Sequence, residues 1–317
     1  MENNNTIQHK SEILFLYDTT YNIPNGDPFT GEQRYDEETK KILVSDVRMK
    51  RFVRTYFEDK GLPIYVSEKT GAGKTDSKNV LKWIAENRND KKLTDIGAIL
   101  KEQIDVRLFG GISTLGDDAG SIKVDGKGCI NGHVQYTGPV QFALLNPSLN
   151  KVNLRMHQNT THFTSKAENT QGSIGTTTVV PYSVMQIHGW LNPKIAESTG
   201  MTDNDLNQLF EGLWYGTNGE GSSHSRTKSG QNSLLLLEIV YAESNKKVYG
   251  VDQLIKITNK EGKDDEQLRS MEDYEFNFSK LLETSKSEKI EKVRYYTEVE
   301  SIKSILANEA KFEEITL

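Results

Sequence analysis

The stretch from Ser45 to Asp59 constrains this chain more than any other. Met49, Phe52, Val53, Tyr56 and Phe57 fall at i, i+3, i+4, i+7 and i+8, the spacing of one apolar stripe along an α-helix. Ser45 stands where an N-cap is needed, since its hydroxyl accepts from an N–H that the first turn leaves open. With a step of about 100° per residue, Arg48, Lys50, Arg51 and Arg54 gather away from the stripe. Such a helix buries one side and offers a cationic ridge on the other.

The partners for the buried side are strands. Glu12 to Asp18 (EILFLYD) is short, apolar and aromatic, and the turn-rich Pro24-Asn25-Gly26-Asp27-Pro28 follows it. Residues 129–145 read as strand with a break at Gly138-Pro139. In 179–191, Tyr182, Val184, Gln186 and His188 alternate with Ser183, Met185 and Ile187. A second helix is expected at 202–214, capped by Thr202, with Asp203 and Asp205 complementing its dipole and Leu206, Leu209, Phe210 and Leu213 as its stripe. Ser233 to Ala242 reads as a buried strand.

Around these, an extended piece is expected at 61–67, helices near 77–87, 95–106 and 299–310, and loop from 110 to 132. Residues 147–178 are Thr- and Asn-rich with almost no core pattern, and are expected to form a protruding arm. Without the insertions the order is strand, helix, strand, strand, helix, strand. The expected fold is therefore α+β, with the ferredoxin-like arrangement of RNA-recognition folds and long insertions carried as loops on one scaffold.

Charge distribution decides which partners remain open. The formal charge of −6 is carried entirely by residues 261–317, which hold 9 basic and 15 acidic side chains. The body is balanced, so a basic face is compatible with an acidic end. Besides the helix, Arg226 and Lys228 sit in a run from Ser222 to Gln231 without an acid, and Lys151, Arg155 and Lys166 lie along the arm. No apolar run approaches the roughly 20 residues of a membrane helix. The polar first ten residues and the single cysteine, Cys129, fit a cytoplasmic protein with no membrane association and no disulfide.

Other chemistries fit less well. Gly71-Ala72-Gly73-Lys74-Thr75 has Glu68 where a phosphate-binding loop needs its first glycine. His157, His162 and Cys129 lack a fourth ligand for zinc, so neither metal nor cofactor is expected. Asp18, Asp27, Asp46, Asp117 and Asp118 are carboxylates that phosphodiester cleavage would require, but nothing in their spacing brings two together. Cations opposite an apolar stripe are the stronger signal, because arginine's planar fork suits bidentate phosphate binding.

At these residues the chain resembles the backbone subunit of CRISPR type I effector (Cascade) complexes, closest to the subtype I-B form. The motifs are EILFLYD at 12–18, Pro-Asn-Gly-Asp-Pro at 24–28, LVSDVRMKRFVR at 43–54 and Asp105-Val106-Arg107-Leu108-Phe109-Gly110. They continue with Gly138-Pro139-Val140-Gln141-Phe142, Val180-Pro181-Tyr182, His188-Gly189 and TGMTDNDLNQLFEGLW at 199–214. The resemblance spans roughly residues 10–245.

It implies an RNA-recognition-like palm (10–60, 129–146 and 179–250), a finger-like insertion (61–128), a thumb-like arm (147–178) and an acidic C-terminal segment (251–317) packed on the palm. It also implies a non-catalytic protein whose copies line up head to tail along a CRISPR RNA. They would present that RNA to a target DNA strand, with other Cascade subunits attached, in antiviral defence. By position, RNA contacts fall on Asn25, Gly26, Ser45, Arg48, Lys50, Arg51 and Arg54, with Arg107 and Phe109 in a matching motif and Arg226 and Lys228 in a matching basic loop. On the arm, Arg155, His157, His162, Phe163 and Lys166 carry the rings and cations that RNA stacking and phosphate binding need. The related type III subunits cut target RNA through a loop aspartate, which makes Asp18, Asp27 and Asp46 the candidates for an enzymatic alternative.

Overall fold

The computed structural model describes residues 6–67, 76–87, 95–114, 123–124, 127–128, 133–160, 174–218 and 228–317. The elements that position the site are β1 (Ser11–Asn22), β2 (Lys41–Ser45), α1 (Asp46–Asp59), α2 (Ile104–Phe109), β3 (Val140–Phe142), β4 (Leu145–Lys151), β5 (Arg155–Thr160), β6 (Ile174–Leu191), α3 (Asp203–Thr217), β7 (Gln231–Tyr241), β8 (Ile290–Tyr296) and β9 (Phe312–Glu314). The main sheet runs β5-β6-β1-β7-β8-β9, with β3 also paired to β6. Its pairings are antiparallel except the last, where β9 lies parallel to β8.

Strand β1 is apolar at consecutive positions because both of its faces are covered. Successive side chains point to opposite sides of a sheet. Ile13, Phe15 and Tyr17 therefore join Met185, Ile187 and Leu236 in one core, and Leu14 and Leu16 join Tyr182, Val184, Leu235 and Leu237 in a second. The alternation expected along 182–188 divides between these two cores. Helices α1 and α3 close the first face, contributing Met49, Phe52, Val53, Tyr56, Phe57, Leu206, Leu209, Phe210, Leu213 and Trp214. The acidic C-terminal segment closes the second with Val251, Leu254, Tyr274, Leu281, Ile302 and Leu306, and it adds β8 and β9 to the sheet.

Both helices begin where their caps dictate. Ser45 accepts from the N–H of Arg48, and Thr202 forms a reciprocal capping box with Asp205. They approach closely because α3 presents glycine to α1: a Cβ on Gly216 would stand 2.7 Å from the Phe52 carbonyl oxygen.

Four expectations change. The segment expected as loop from 110 begins as a strand, Gly110–Thr114, paired antiparallel with His133–Thr137. The helix over 95–106 is two helices, Ile96–Lys101 and α2, because Gln103 is extended and Ile104 donates its N–H to the Pro63 carbonyl instead. Residues 61–67 are irregular, held by Asp105, which accepts from the Tyr65 and Val66 N–H groups at 2.7 and 3.1 Å. The start of the arm belongs to the body: β4 pairs with β2, and Asn146 and Asn150 are buried. Their side-chain carbonyls accept the N–H groups of His188 and Val184, both at 2.9 Å. Asparagines here replace missing ladder partners, so a stretch that reads as polar is internal. Beyond Lys151, β5 pairs with the first residues of β6 as a two-stranded ladder, from Arg155 opposite Val179 to Thr160 opposite Ile174.

The insertion after α1 builds a core of its own from Tyr65, Val80, Leu81, Ile84, Ile96, Ile99, Leu100, Val106 and Val134. The Gly71–Thr75 and Asp117–Asp118 motifs, Cys129, His162, Phe163, Lys166 and Arg226 lie outside the described residues. A branched side chain at Gly216 would push α3 off Phe52. Gly216→Val is expected to lower stability by about 1–3 kcal/mol, read from the urea midpoint.

Candidate nucleic-acid interface

The interface is built at the C-terminal end of β1 and the N-terminal end of α1. The loop between them is tied to the helix start. Asn25 is buried, its side-chain carbonyl accepts the N–H of Ser45 at 2.6 Å, and its own N–H donates to Gln33 Oε1 at 2.9 Å. Gly26 bridges Gln33, and Asp27 pairs with Arg34 at 3.1 Å. Asn25 is thus an anchor for the loop, and the Ser45 hydroxyl is occupied in capping α1.

Three of the four helix cations are drawn into separate contacts. Arg48 lies i,i+4 from Phe52, and its guanidinium stacks 3.8 Å over that ring, half-buried beside Tyr17. Burial, reinforced by the charge of Arg51, lowers its pKa to about 10, while Tyr17 acts in the opposite sense. Arg48 Nε and the Tyr17 hydroxyl are both buried without a hydrogen-bond partner among the described residues. Lys50 pairs with Asp46 at 3.1 Å. Arg54 is turned inward, its Nε 2.9 Å from the fully buried Asp105. Lys50 and Arg54 also flank the Phe109 ring, at 5.8 and 5.5 Å from its centroid.

A second basic segment reaches the same place. Lys228 crosses to donate to the Ile23 carbonyl, next to the segment that Asn25 anchors. It is half-buried, and burial first, then the nearby charge of Arg48, bring its pKa down to about 7. Burial and the charge of Arg48 thus both disfavour the charged form of Lys228, and an incoming anion would favour it again. Neither periodicity nor spacing shows this pairing. The signal in the sequence was the acid-free run around Lys228.

Arg107 and Phe109 serve the fold in this chain. The Arg107 fork grips Asp205 with two bonds of 2.9 and 2.6 Å, and one of its nitrogens also donates to the Lys101 and Glu102 carbonyls. Phe109 is buried against Phe142, with ring centroids 6.2 Å apart. Asp105 and Asp205, the partners of Arg54 and Arg107, become buried acceptors only in three dimensions. Arg155 and His157 stand exposed on β5.

The aspartates have separate duties. Asp18 accepts from the Tyr182 hydroxyl at 3.0 Å and Asn232 Nδ2 at 2.8 Å, and burial raises its pKa despite those bonds. Asp27 accepts the Phe29 and Thr30 N–H groups, and Asp46 holds Lys50. Among the described residues no three His, Cys, Asp or Glu side chains converge to hold a metal. No helix there is long and apolar enough to cross a membrane.

The model of the family described as CRISPR-associated protein Cas7 matches residues 9–279. The chain belongs to the Cas7 family. A Cas7 protein from Haloferax volcanii is 31% identical over 291 residues, covering 88% of this chain and 83% of its own. The fold is similar to chains in two solved structures. One is described as a CRISPR RNA-guided surveillance complex, pre-nicking (TM-score 0.53, 12% identity, 97% of this chain and 96% of that one). The other is described as a CRISPR RNA-guided surveillance complex, with the same score and identity over 97% and 95%. The Cas7 match takes in β1, α1, β6, α3 and β7, and stops before β8 and β9 complete the sheet.

Asp105 fixes Arg54 and the backbone after α1 together. Asp105→Ala strands a half-buried guanidinium and two N–H groups. A loss of roughly 3–5 kcal/mol is expected in chemical unfolding.

Proposed function

We propose that this Cas7-family protein is a guide-RNA-binding backbone subunit of a type I Cascade complex, of subtype I-B by its motifs. Copies would follow the RNA in a helical filament and present its bases to a target DNA strand, alongside other Cascade subunits, in the cytoplasm. The observation that carries this reading is that two half-buried cations, Arg48 stacked over Phe52 and Lys228 on the Ile23 carbonyl, are set at the end of β1 and the start of α1, the charge of the first disfavouring that of the second. A ribose-phosphate strand supplies such anions at regular intervals without any sequence requirement. Arg51 and Lys50 on the same helix extend the surface, and Arg155 and His157 would act from the arm with His162, Phe163 and Lys166. Arg226 adjoins the Lys228 segment in the chain.

The palm reading is supported by strand order. Taken as β7-β1-β6-β3, the antiparallel core has its fourth, first, third and second strands side by side, with α1 and α3 on one face. Residues 61–128 then stand as fingers and the arm as a thumb that begins beyond Lys151. Exposed apolar side chains near the arm and helix start, Leu144 and Met156, suit packing against a neighbouring copy.

We read the subunit as non-catalytic, because Asp18, Asp27 and Asp46 are each engaged in different local interactions. Incubation of the assembled complex with complementary RNA and Mg²⁺ should leave that RNA intact; regularly spaced cuts would favour the type III-like alternative.

Two measurements test the binding site. Replacing Arg51 and Lys228 by Ala should weaken binding of single-stranded RNA and flatten the plot of log affinity against log salt by roughly 1.4, about 0.7 for each phosphate that is no longer neutralised. An unchanged slope would remove those residues from the interface. The pH dependence has a defined sign. Lys228 is partly deprotonated above pH 7 in the free protein, and a bound phosphate raises its pKa, so binding takes up a proton. Affinity should fall as pH rises from 7 to 9, by at most about tenfold per unit, and Lys228→Ala should abolish that trend.

A further inference from the structure

The residue before the last of strand β1 is one that the backbone holds against its preference. Tyr21 has φ +45°, in the left-handed region that bulky side chains rarely occupy. Its surroundings account for this. The β1–β6 register pairs Thr20 with Tyr182 and Asn22 with Val180, leaving Tyr21 opposite Pro181, which has no N–H to give. The chain is fastened on both sides. The Thr20 N–H donates to the Gly230 carbonyl at 3.2 Å, and Asn22 Nδ2 donates to the Ser229 carbonyl at 2.7 Å. The Thr19 hydroxyl, in turn, donates to Asn22 Oδ1.

Held this way, the phenol ring projects outward and is 63% exposed. Glycine or asparagine would occupy the position without strain. A large aromatic ring there gains nothing for the core, so its retention needs a reason outside the monomer. The fastening residues supply one, because Ser229 and Gly230 directly follow Lys228, and Asn22 precedes Ile23, whose carbonyl Lys228 binds. The exposed ring and the acid-poor cation cluster are therefore carried by the same two crossing segments.

We propose that Tyr21 is a stacking platform for one base of the RNA strand whose phosphates Arg48 and Lys228 hold. The inference rests on the RNA-binding reading above and adds to it the face of a nucleobase as the recognised group. Stacking tolerates any base, because each has a π-face. The strain fixes the ring's direction before RNA arrives, which spares the ordering cost at binding.

The test compares Tyr21→Gly, Tyr21→Leu and Tyr21→Phe for anisotropy binding to a fluorescein-labelled single-stranded RNA and for the urea midpoint. Tyr21→Gly should raise the midpoint yet weaken RNA binding on the order of tenfold. Tyr21→Leu keeps the bulk and the backbone strain but lacks a π-face, and should weaken binding equally without a stability gain. Tyr21→Phe should bind within about twofold of the parent chain. Wild-type affinity in either the Gly or the Leu variant overturns the platform. If those variants bind normally while the Arg51 and Lys228 double variant fails, only the platform falls. If the parent chain itself shows no salt-dependent RNA binding, the underlying reading falls with it.

Discussion

The apolar stripe of α1 is the packing on which the rest depends. Five side chains, Met49, Phe52, Val53, Tyr56 and Phe57, are pinned between the sheet and α3, so the helix can neither roll nor slide. Every cation on it then has a fixed origin. Arg48 is drawn across Phe52 toward Tyr17, and Lys50 and Arg54 flank Phe109. A loosely held helix with the same charges would have only a diffuse positive field. Hydrophobic burial on one side thus supplies the positional precision that polar chemistry needs on the other.

The same anchoring sorts cations into two kinds. Arg54 and Arg107 meet buried carboxylates, Asp105 and Asp205, and hold the inserted segment and α3 in place. Among the described residues, Arg48 meets an aromatic ring and Lys228 a backbone carbonyl. The first pair is neutralised by acids, whereas the second is held by neutral groups. That difference, rather than the total number of basic residues, is what supports the proposed binding surface on a protein of net negative charge. The acidic C-terminal segment does not compete for it, because that segment is spent on the opposite face of the sheet, where Leu254, Ile302 and Leu306 are buried.

Much of the scaffold was legible because strong local signals agreed. The EILFLYD strand, the Ser45 and Thr202 caps and the stripe of α1 each follow from spacing and side-chain chemistry that operate within a few residues. What escaped depended on distant partners. The helix over 95–106 broke because Ile104 found the Pro63 carbonyl. The Asn-rich start of the arm was internal because Asn146 and Asn150 serve β6. In the interface, the helical wheel placed Arg48 and Arg54 with Lys50 and Arg51, yet long flexible side chains go where i,i+4 rings and buried acids draw them. Arg107 matched a motif and proved to be a clamp on α3, while the proximity of Lys228 to Arg48 had no local signature at all.

The central claim is that Arg48 and Lys228 hold a phosphate of a bound strand. A cryo-electron microscopy structure of the protein assembled on RNA tests it most directly. The account predicts a phosphate oxygen within hydrogen-bonding distance of both side chains, about 2.7–3.2 Å, with α1 and its apolar stripe unmoved. An RNA path that leaves both groups facing protein, with its phosphates held elsewhere, would contradict it.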